Sequence, residues 1–352
     1  MLGLYIHIPF CATKCAYCDF YSLKYNKETV EKYVEEVCRR LNKLDIIFDT
    51  VYFGGGTPSL VGAENLSKIL SNVTYKQGAE ITVEVNPKSF KSDFFEKLYK
   101  SGFNRVSIGA QSAIETELKT LTRKHSFSDV EKTVFAAKSA GFKNISIDVM
   151  VGISGQTLNS LKKTLDKCIA LEPAHFSCYM LKIEESTPYA DSELVFPNDE
   201  EVSEMYLFLC NYLKKHDYIQ YEVSNFSKEG LSSTHNTLYW KCEEYLGIGP
   251  AAHSFLKGKR YYFPNDIEYF LEGKEMMFLE DGDELYDYVM LGLRLSEGIE
   301  MSRFENNIGF IEKFKKYCKA GYASICNGRM FLNEKGFLVQ NIILTDLLEE
   351  IQ

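Results

Sequence analysis

Three cysteines stand within eight residues, Cys11, Cys15 and Cys18, in the run Pro9-Phe10-Cys11-Ala12-Thr13-Lys14-Cys15-Ala16-Tyr17-Cys18. At this spacing three thiolates can converge on one metal centre from a single loop. Three readings fit the residue types: an iron–sulfur cluster, a zinc site, or uncoordinated thiols. A structural zinc closes four coordination positions, usually with a second Cys or His pair. No second pair with that spacing exists in the sequence, and His7 is the nearest further ligand. A cubane held by three cysteines keeps one iron open, which is useful only to a protein that binds something else there.

A loop of that kind needs a scaffold, and the chain supplies a βα alternation. Short β-rich runs at 4–8, 50–53, 80–85, 104–108, 144–149 and 175–181 predict strands. Amphipathic runs at 27–42, 63–71, 92–101, 128–140 and 157–171 predict the helices between them. Strands separated by helices imply right-handed crossovers and a parallel sheet. Six such units predict an α/β fold built on a partial (β/α)6 barrel.

In barrels of this type the chemistry sits in loops after the C-terminal ends of the strands. Those loops hold the unusual residues: 9–18, 54–58, 86–87, 109–112 and 152–157. After residue 195 the alternation fades. A helix is expected over 199–216, then an aromatic-rich loop segment, a helical tail with a hairpin at 331–336, and a last helix near 338–350. The expected divisions are a barrel core over 1–195, a flanking extension over 196–279 and a small, mostly helical C-terminal domain over 280–352.

Composition narrows the function classes. The formal net charge is −9 with no long Lys/Arg run, so a nucleic acid backbone is not an expected partner. No apolar stretch reaches the ~18–20 residues of a membrane span, and functional-looking residues begin at Tyr5, leaving no room for a cleavable leader. A cytoplasmic protein is expected. The other seven cysteines are scattered and read as buried thiols in a reducing compartment. Aromatic residues make up 14% and fill cores first, so their abundance alone implies no cofactor.

The Cys-x3-Cys-x2-Cys loop after a first strand, followed by Gly54-Gly55-Gly56-Thr57-Pro58 after a second, resembles the radical S-adenosylmethionine (SAM) superfamily. That resemblance implies a [4Fe-4S] cluster on Cys11, Cys15 and Cys18 whose open iron chelates SAM. It also implies adenine contact by Tyr17 and approach of the Gly54–Thr57 backbone to the methionyl amino group. Glycine suits that approach because it has no Cβ to block it. The opening Tyr5-Ile6-His7-Ile8-Pro9-Phe10-Cys11 is similar to the branch that holds the oxygen-independent coproporphyrinogen dehydrogenases and their haem-chaperone relatives. The similarity continues through Glu84-Val85-Asn86-Pro87, Ser107–Ser112, Leu121–His125 and Asp148–Gly152. Carried over by position, Tyr5, Glu84, Gln111, Arg123 and Asp148 are expected SAM contacts. Arg123 suits a carboxylate, Asp148 and Gln111 suit ribose or sulfonium-side atoms, and Glu84 suits an ammonium. The chain departs from the family at Ile153-Ser154, where Leu-Pro is usual.

Two features divide the branch. The dehydrogenases carry a further cysteine two residues after the third, where this chain has Phe20. The run His235-Asn236-Thr237-Leu238-Tyr239-Trp240 matches the His-Asn-x-x-Tyr-Trp motif of the haem chaperones. Both favour a carrier of haem cargo over a decarboxylating dehydrogenase. His235 is a candidate haem contact, against the alternative of a polar loop capping the barrel in which His235 and Asn236 are tied into backbone hydrogen bonds. His253 is also chemically able to bind haem iron, Cys242 is the alternative ligand, and Tyr239 and Trp240 are candidates to pack on a porphyrin face. The resemblance further implies client respiratory haemoproteins, some membrane-bound, and a homodimer. For a carrier, SAM cleavage has no obvious use, and SAM as a structural or gating ligand stays open.

Overall fold

The computed structural model describes residues 1–351. The six expected strands form close to the boundaries their alternation marks: β1 (Leu2–Ile8), β2 (Phe48–Gly55), β3 (Tyr75–Val85), β4 (Arg105–Gln111), β5 (Asn144–Val151) and β6 (His175–Met180). They pair in parallel and in chain order, with Tyr5 beside Tyr52, Glu84 beside Ser107, and Ser107 beside Ser146. Between them run α1 (Lys27–Leu41), α2 (Ala63–Leu70), α3 (Phe94–Lys100), α4 (Phe127–Ala140) and α5 (Leu158–Ile169).

Each strand alternates, but its inner face is polar. Leu4, Ile6, Ile8, Val51, Phe53, Val83, Val106, Ile108, Ile147 and Phe176 are fully buried against the helices. The intervening residues Tyr5, Tyr52, Glu84, Ser107, Asp148 and Ser177 face one another inside. The Tyr52 hydroxyl donates to Glu84 at 2.8 Å, and Ser107 donates to Asp148 at 2.9 Å. An apolar rim outside and a polar lumen inside suit a barrel that holds a polar ligand.

The sheet is wider than the alternation predicts. The region after the helix expected at 199–216, read as an aromatic-rich loop segment, supplies strands β7 (Asn225–Ser227), β8 (Glu244–Ile248), β9 (His253–Leu256), β10 (Lys259–Tyr262) and β11 (Met277–Asp281). β8 adds a seventh parallel strand on the far side of β1, and β9 to β11 continue antiparallel from it. Within the twelve-stranded sheet, β11 forms one edge and Ile219–Gln220 the other, so the barrel stays open. These strands are two to five residues long. Such short runs carry too little alternation to be told from loop.

Two helices belong to this half, α6 (Asp199–Lys214) and α7 (Thr234–Trp240). Beyond them α8 (Glu284–Gly292) leads into a three-stranded sheet and a helical end. The hairpin expected at 331–336 lies instead at Ala323–Leu332, turning on Asn327-Gly328 at φ +51° and +72°. Asn-Gly with both residues left-handed is the favoured two-residue hairpin turn. Asn333 is an N-cap, accepting from Lys335 N–H at 3.1 Å and Gly336 N–H at 3.0 Å to start helix Glu334–Leu338. The last helix is Gln340–Leu348. No helix among the described residues is long and apolar enough to cross a membrane.

Candidate functional site

The C-terminal ends of the parallel strands surround a cavity of about 450 Å³. Cys11, Cys15 and Cys18 line it, all as free thiols and all partly exposed. The loop that carries them is held at several points. A two-residue parallel pairing of Phe10–Cys11 with Leu23–Lys24 closes its base, and the Thr122 hydroxyl accepts from the Ala16 N–H at 3.0 Å. The Cys18 N–H bonds back to the Cys15 carbonyl at 3.1 Å. Burial pushes the Cys18 thiol up, and its neighbours Cys15 and Cys11 push it further. Among the described residues no trio of His, Cys, Asp or Glu is gathered tightly enough to hold a single ion.

The glycine segment enters from β2. The Gly56 N–H donates to the Ile8 carbonyl at 2.9 Å, the Thr57 N–H donates to the Phe10 carbonyl at 2.8 Å, and the Thr57 hydroxyl lies 3.5 Å from Cys11 Sγ. Gly55 is required by geometry. Its φ is +110°, and an added Cβ would fall 2.7 Å from the His7 ring. Gly54 is packed more deeply, where a Cβ would meet Tyr52, Glu84 and Tyr5.

The polar residues expected at the site gather around the same cavity. Gln111 sits on a β-bulge of β4 at φ +65°, a left-handed backbone that a non-glycine residue rarely adopts. Arg123 donates to the Gly109 carbonyl at 2.8 Å and to Cys15 Sγ at 3.5 Å, while its Nε is buried with no partner. Glu84 accepts from Tyr52 and from the Gly55 N–H at 3.2 Å. Desolvation nevertheless pushes its carboxyl up to about 7, although it borders the cavity. Desolvation also raises Asp148, against the hydrogen bonds of Ser107 and Ser177. Tyr17 packs beside Tyr189, with ring centres 6.2 Å apart, over an apolar cluster of Leu121, Met150 and Ile153. Ile153 is fully buried in that cluster, and Ser154 donates to the Val195 carbonyl at 2.6 Å.

Besides Gly54, two expected residues lie off the cavity wall. Tyr5 stands beside the cavity rather than on its wall; it is hydrogen-bonded to His7 at 3.0 Å and lines a second cavity. His235 departs furthest from expectation. It is 1% exposed at the opposite, N-terminal end of the barrel, in contact distance of Gly3 and Thr50. Its Nδ1 pairs with the Thr50 hydroxyl at 2.7 Å, its Nε2 pairs with the Tyr239 hydroxyl at 2.8 Å, and its ring stacks on Tyr52. Burial lowers its pKa to about 3. Both ring nitrogens are already hydrogen-bonded, so in this structure His235 stands as a buried barrel plug and lines neither cavity. Glu80, which no motif marked, explains the placement: it accepts from the backbone N–H groups of Thr234 and His235 at 2.9 and 3.0 Å, and so holds the start of α7 inside the barrel.

Comparison with known proteins decides the family. Residues 5–168 match the model of the radical SAM superfamily. Over 97% of its length the chain is 31% identical to "Heme chaperone HemW" of Lactococcus lactis subsp. lactis (strain IL1403), covering 93% of that protein. This chain belongs to the HemW family. It is also 31% identical to "Heme chaperone HemW" of Escherichia coli (strain K12), over 99% of this chain and 98% of that one. The coproporphyrinogen III oxidase (HemN) of Escherichia coli, described as a radical SAM enzyme, superposes with a TM-score of 0.85 over 98% of this chain and 89% of its own, at 19% identity. That likeness establishes a shared fold. The fold class is a HemN-like radical SAM α/β barrel with added helices.

The residues present fit a cluster with SAM. One cavity joins three free thiols, an uncommitted buried guanidinium N–H on Arg123, and a buried carboxyl on Glu84 whose ionised form needs a cation.

Proposed function

We propose that this HemW family member holds a [4Fe-4S] cluster on Cys11, Cys15 and Cys18, binds SAM in the same cavity, and carries haem as cargo to respiratory haemoproteins from the cytoplasm. The observation that supports this most is the gathering of eleven expected residues on one cavity wall: the three cysteines, Tyr17, Gly55, Gly56, Thr57, Glu84, Gln111, Arg123 and Asp148. We take residues 1–195 as the unit that holds the cofactors, 196–279 as the extension that adds a second cavity wall, and 280–352 as the small domain that covers it.

When bound, the cluster supplies one-electron chemistry to SAM. The protein's own residues orient and shield. Arg123 is placed to offer its free Nε–H to a carboxylate, and Glu84 to accept from an ammonium. Tyr17, on its apolar bed, offers a ring face for a purine, while Asp148 and Gln111 supply acceptors and donors deeper in the lumen. Phe20 stands where the dehydrogenases of the branch have a further cysteine, which favours carriage over porphyrinogen decarboxylation.

The test is anaerobic reconstitution followed by electron paramagnetic resonance of the reduced protein, with and without SAM. A cluster signal that SAM perturbs supports the reading, and its loss in Cys15→Ala supports the ligand set. A signal indifferent to SAM, or zinc retained in place of iron, overturns it.

A further inference from the structure

The polar inner face of the barrel does not end at β1. Across the next strands, Gly3 pairs with Tyr245, Tyr245 with Phe255, Phe255 with Arg260, and Arg260 with Glu280. Paired residues share a face of a sheet. Tyr5, Tyr245, His253, Phe255 and Arg260 therefore form one continuous wall with the barrel lumen. The end of α7 and the flank of α8 cover this wall and enclose a cavity of about 900 Å³. This volume is near the upper end of the roughly 300–1,000 Å³ typical of small-molecule sites. Asp19 and Phe20 line both this cavity and the cysteine-lined one, so the two adjoin at the cysteine loop.

Its chemistry is aromatic with one free imidazole. Tyr239, Trp240, Tyr245, Phe255 and Tyr286 supply flat apolar surface, and Phe20, itself 60% exposed, stands at the junction. The chain has six histidines. His7, His175 and His235 have both ring nitrogens hydrogen-bonded; His125 uses Nε2 and His216 uses Nδ1. His253 is exposed and lines the cavity. It stacks on Tyr262 at 5.9 Å, and among the described residues nothing engages either of its nitrogens.

Resting on the proposed haem carriage, we infer that this cavity is the seat of the cargo, with the porphyrin against the aromatic wall and His253 as an axial ligand to the iron. Arg260 is already neutralised by Asp287 at 2.6 Å and Glu280 at 3.4 Å, so the propionates turn to the solvent mouth. Cys242 does not share the iron. It lies in the left-handed turn before β8, at the far end of that strand from Gly247, the neighbour of His253 across the sheet. Burial also keeps it a neutral thiol, with a pKa pushed up to about 11.

The experiment is a titration of ferric haem into the reconstituted full chain, read by absorbance and by the spin state of the iron, for wild type, His253→Ala and Met290→Trp. Far-ultraviolet circular dichroism and thermal melting check that each variant folds. The expected result is one haem per wild-type chain with an imidazole-ligated spectrum. His253→Ala should bind at least tenfold more weakly, with that spectrum lost and then restored by added imidazole. Met290→Trp, which fills the cavity, should also bind weakly. Wild-type affinity and spectrum in His253→Ala would overturn this site while leaving haem carriage standing. Failure of the wild type to bind haem would overturn haem carriage itself.

Discussion

Two buried titrating groups carry opposite consequences for pH. Glu84 titrates near 7 in the fold, against 4.5 for an ordinary glutamate, because burial disfavours its charge. Between those values the folded state keeps a proton that the unfolded state has lost, so its contribution falls as pH rises through the window. Glu84→Gln should therefore gain stability over wild type on going from pH 5 to pH 8, as read by denaturant midpoints. A SAM ammonium would favour the carboxylate, so SAM affinity should rise from pH 6 to pH 8 in wild type and lose that dependence in Glu84→Gln, which isothermal titration would show. His235 works the other way: its folded pKa near 3 lies below the ordinary 6.5, so its contribution is complete above pH 6.5 and is lost as pH falls. Between pH 6.5 and 5 the wild type should lose about 2 kcal/mol more than His235→Gln. Gly55→Ala should cost roughly 2 kcal/mol, since it combines a left-handed backbone with collision against His7.

Whole elements are held by side chains that the cofactor motifs do not include. Glu80 ties the start of α7 to β3 through two backbone N–H groups and the Ser233 hydroxyl. Hydrogen bonds to a charged group contribute about 1.5–3 kcal/mol each. Glu80→Ala should therefore lower stability by at least about 2 kcal/mol and loosen α7, which faster amide exchange over 234–240 would report. The cofactor loops were legible in the sequence because each follows a strong strand and carries an unusual residue: cysteines after β1, glycines after β2, Asn86-Pro87 after β3. The extension was not legible. Tyr245, Phe255 and Tyr262 read as loop aromatics, since strands this short show no period, and only their pairing with β1 reveals a wall. Asn327-Gly328 did carry a readable hairpin signal, whereas the segment 331–336, expected as the hairpin, holds the Asn333 cap of a helix.

Across the whole molecule, a single twelve-stranded sheet serves two cavities. The parallel part presents thiols, carboxyls and a guanidinium where its strands end, and the antiparallel part extends the same face into an aromatic chamber. The His235 motif identified the family correctly, yet its imidazole closes the barrel floor. The motif therefore marks the shape of α7 and the placing of Tyr239 and Trp240 on the second cavity. Position along the chain could not show this, because the Thr50 and Glu80 partners of His235 lie more than 150 residues away.

The central claim is that this radical SAM fold carries haem and does not oxidise porphyrinogen. Offering the reconstituted protein, with SAM and a reductant, ferric haem in one vessel and coproporphyrinogen III in another tests it most directly. The account predicts one haem bound per chain and no decarboxylated porphyrin by chromatography. Repeated turnover of coproporphyrinogen III with no haem bound would contradict it.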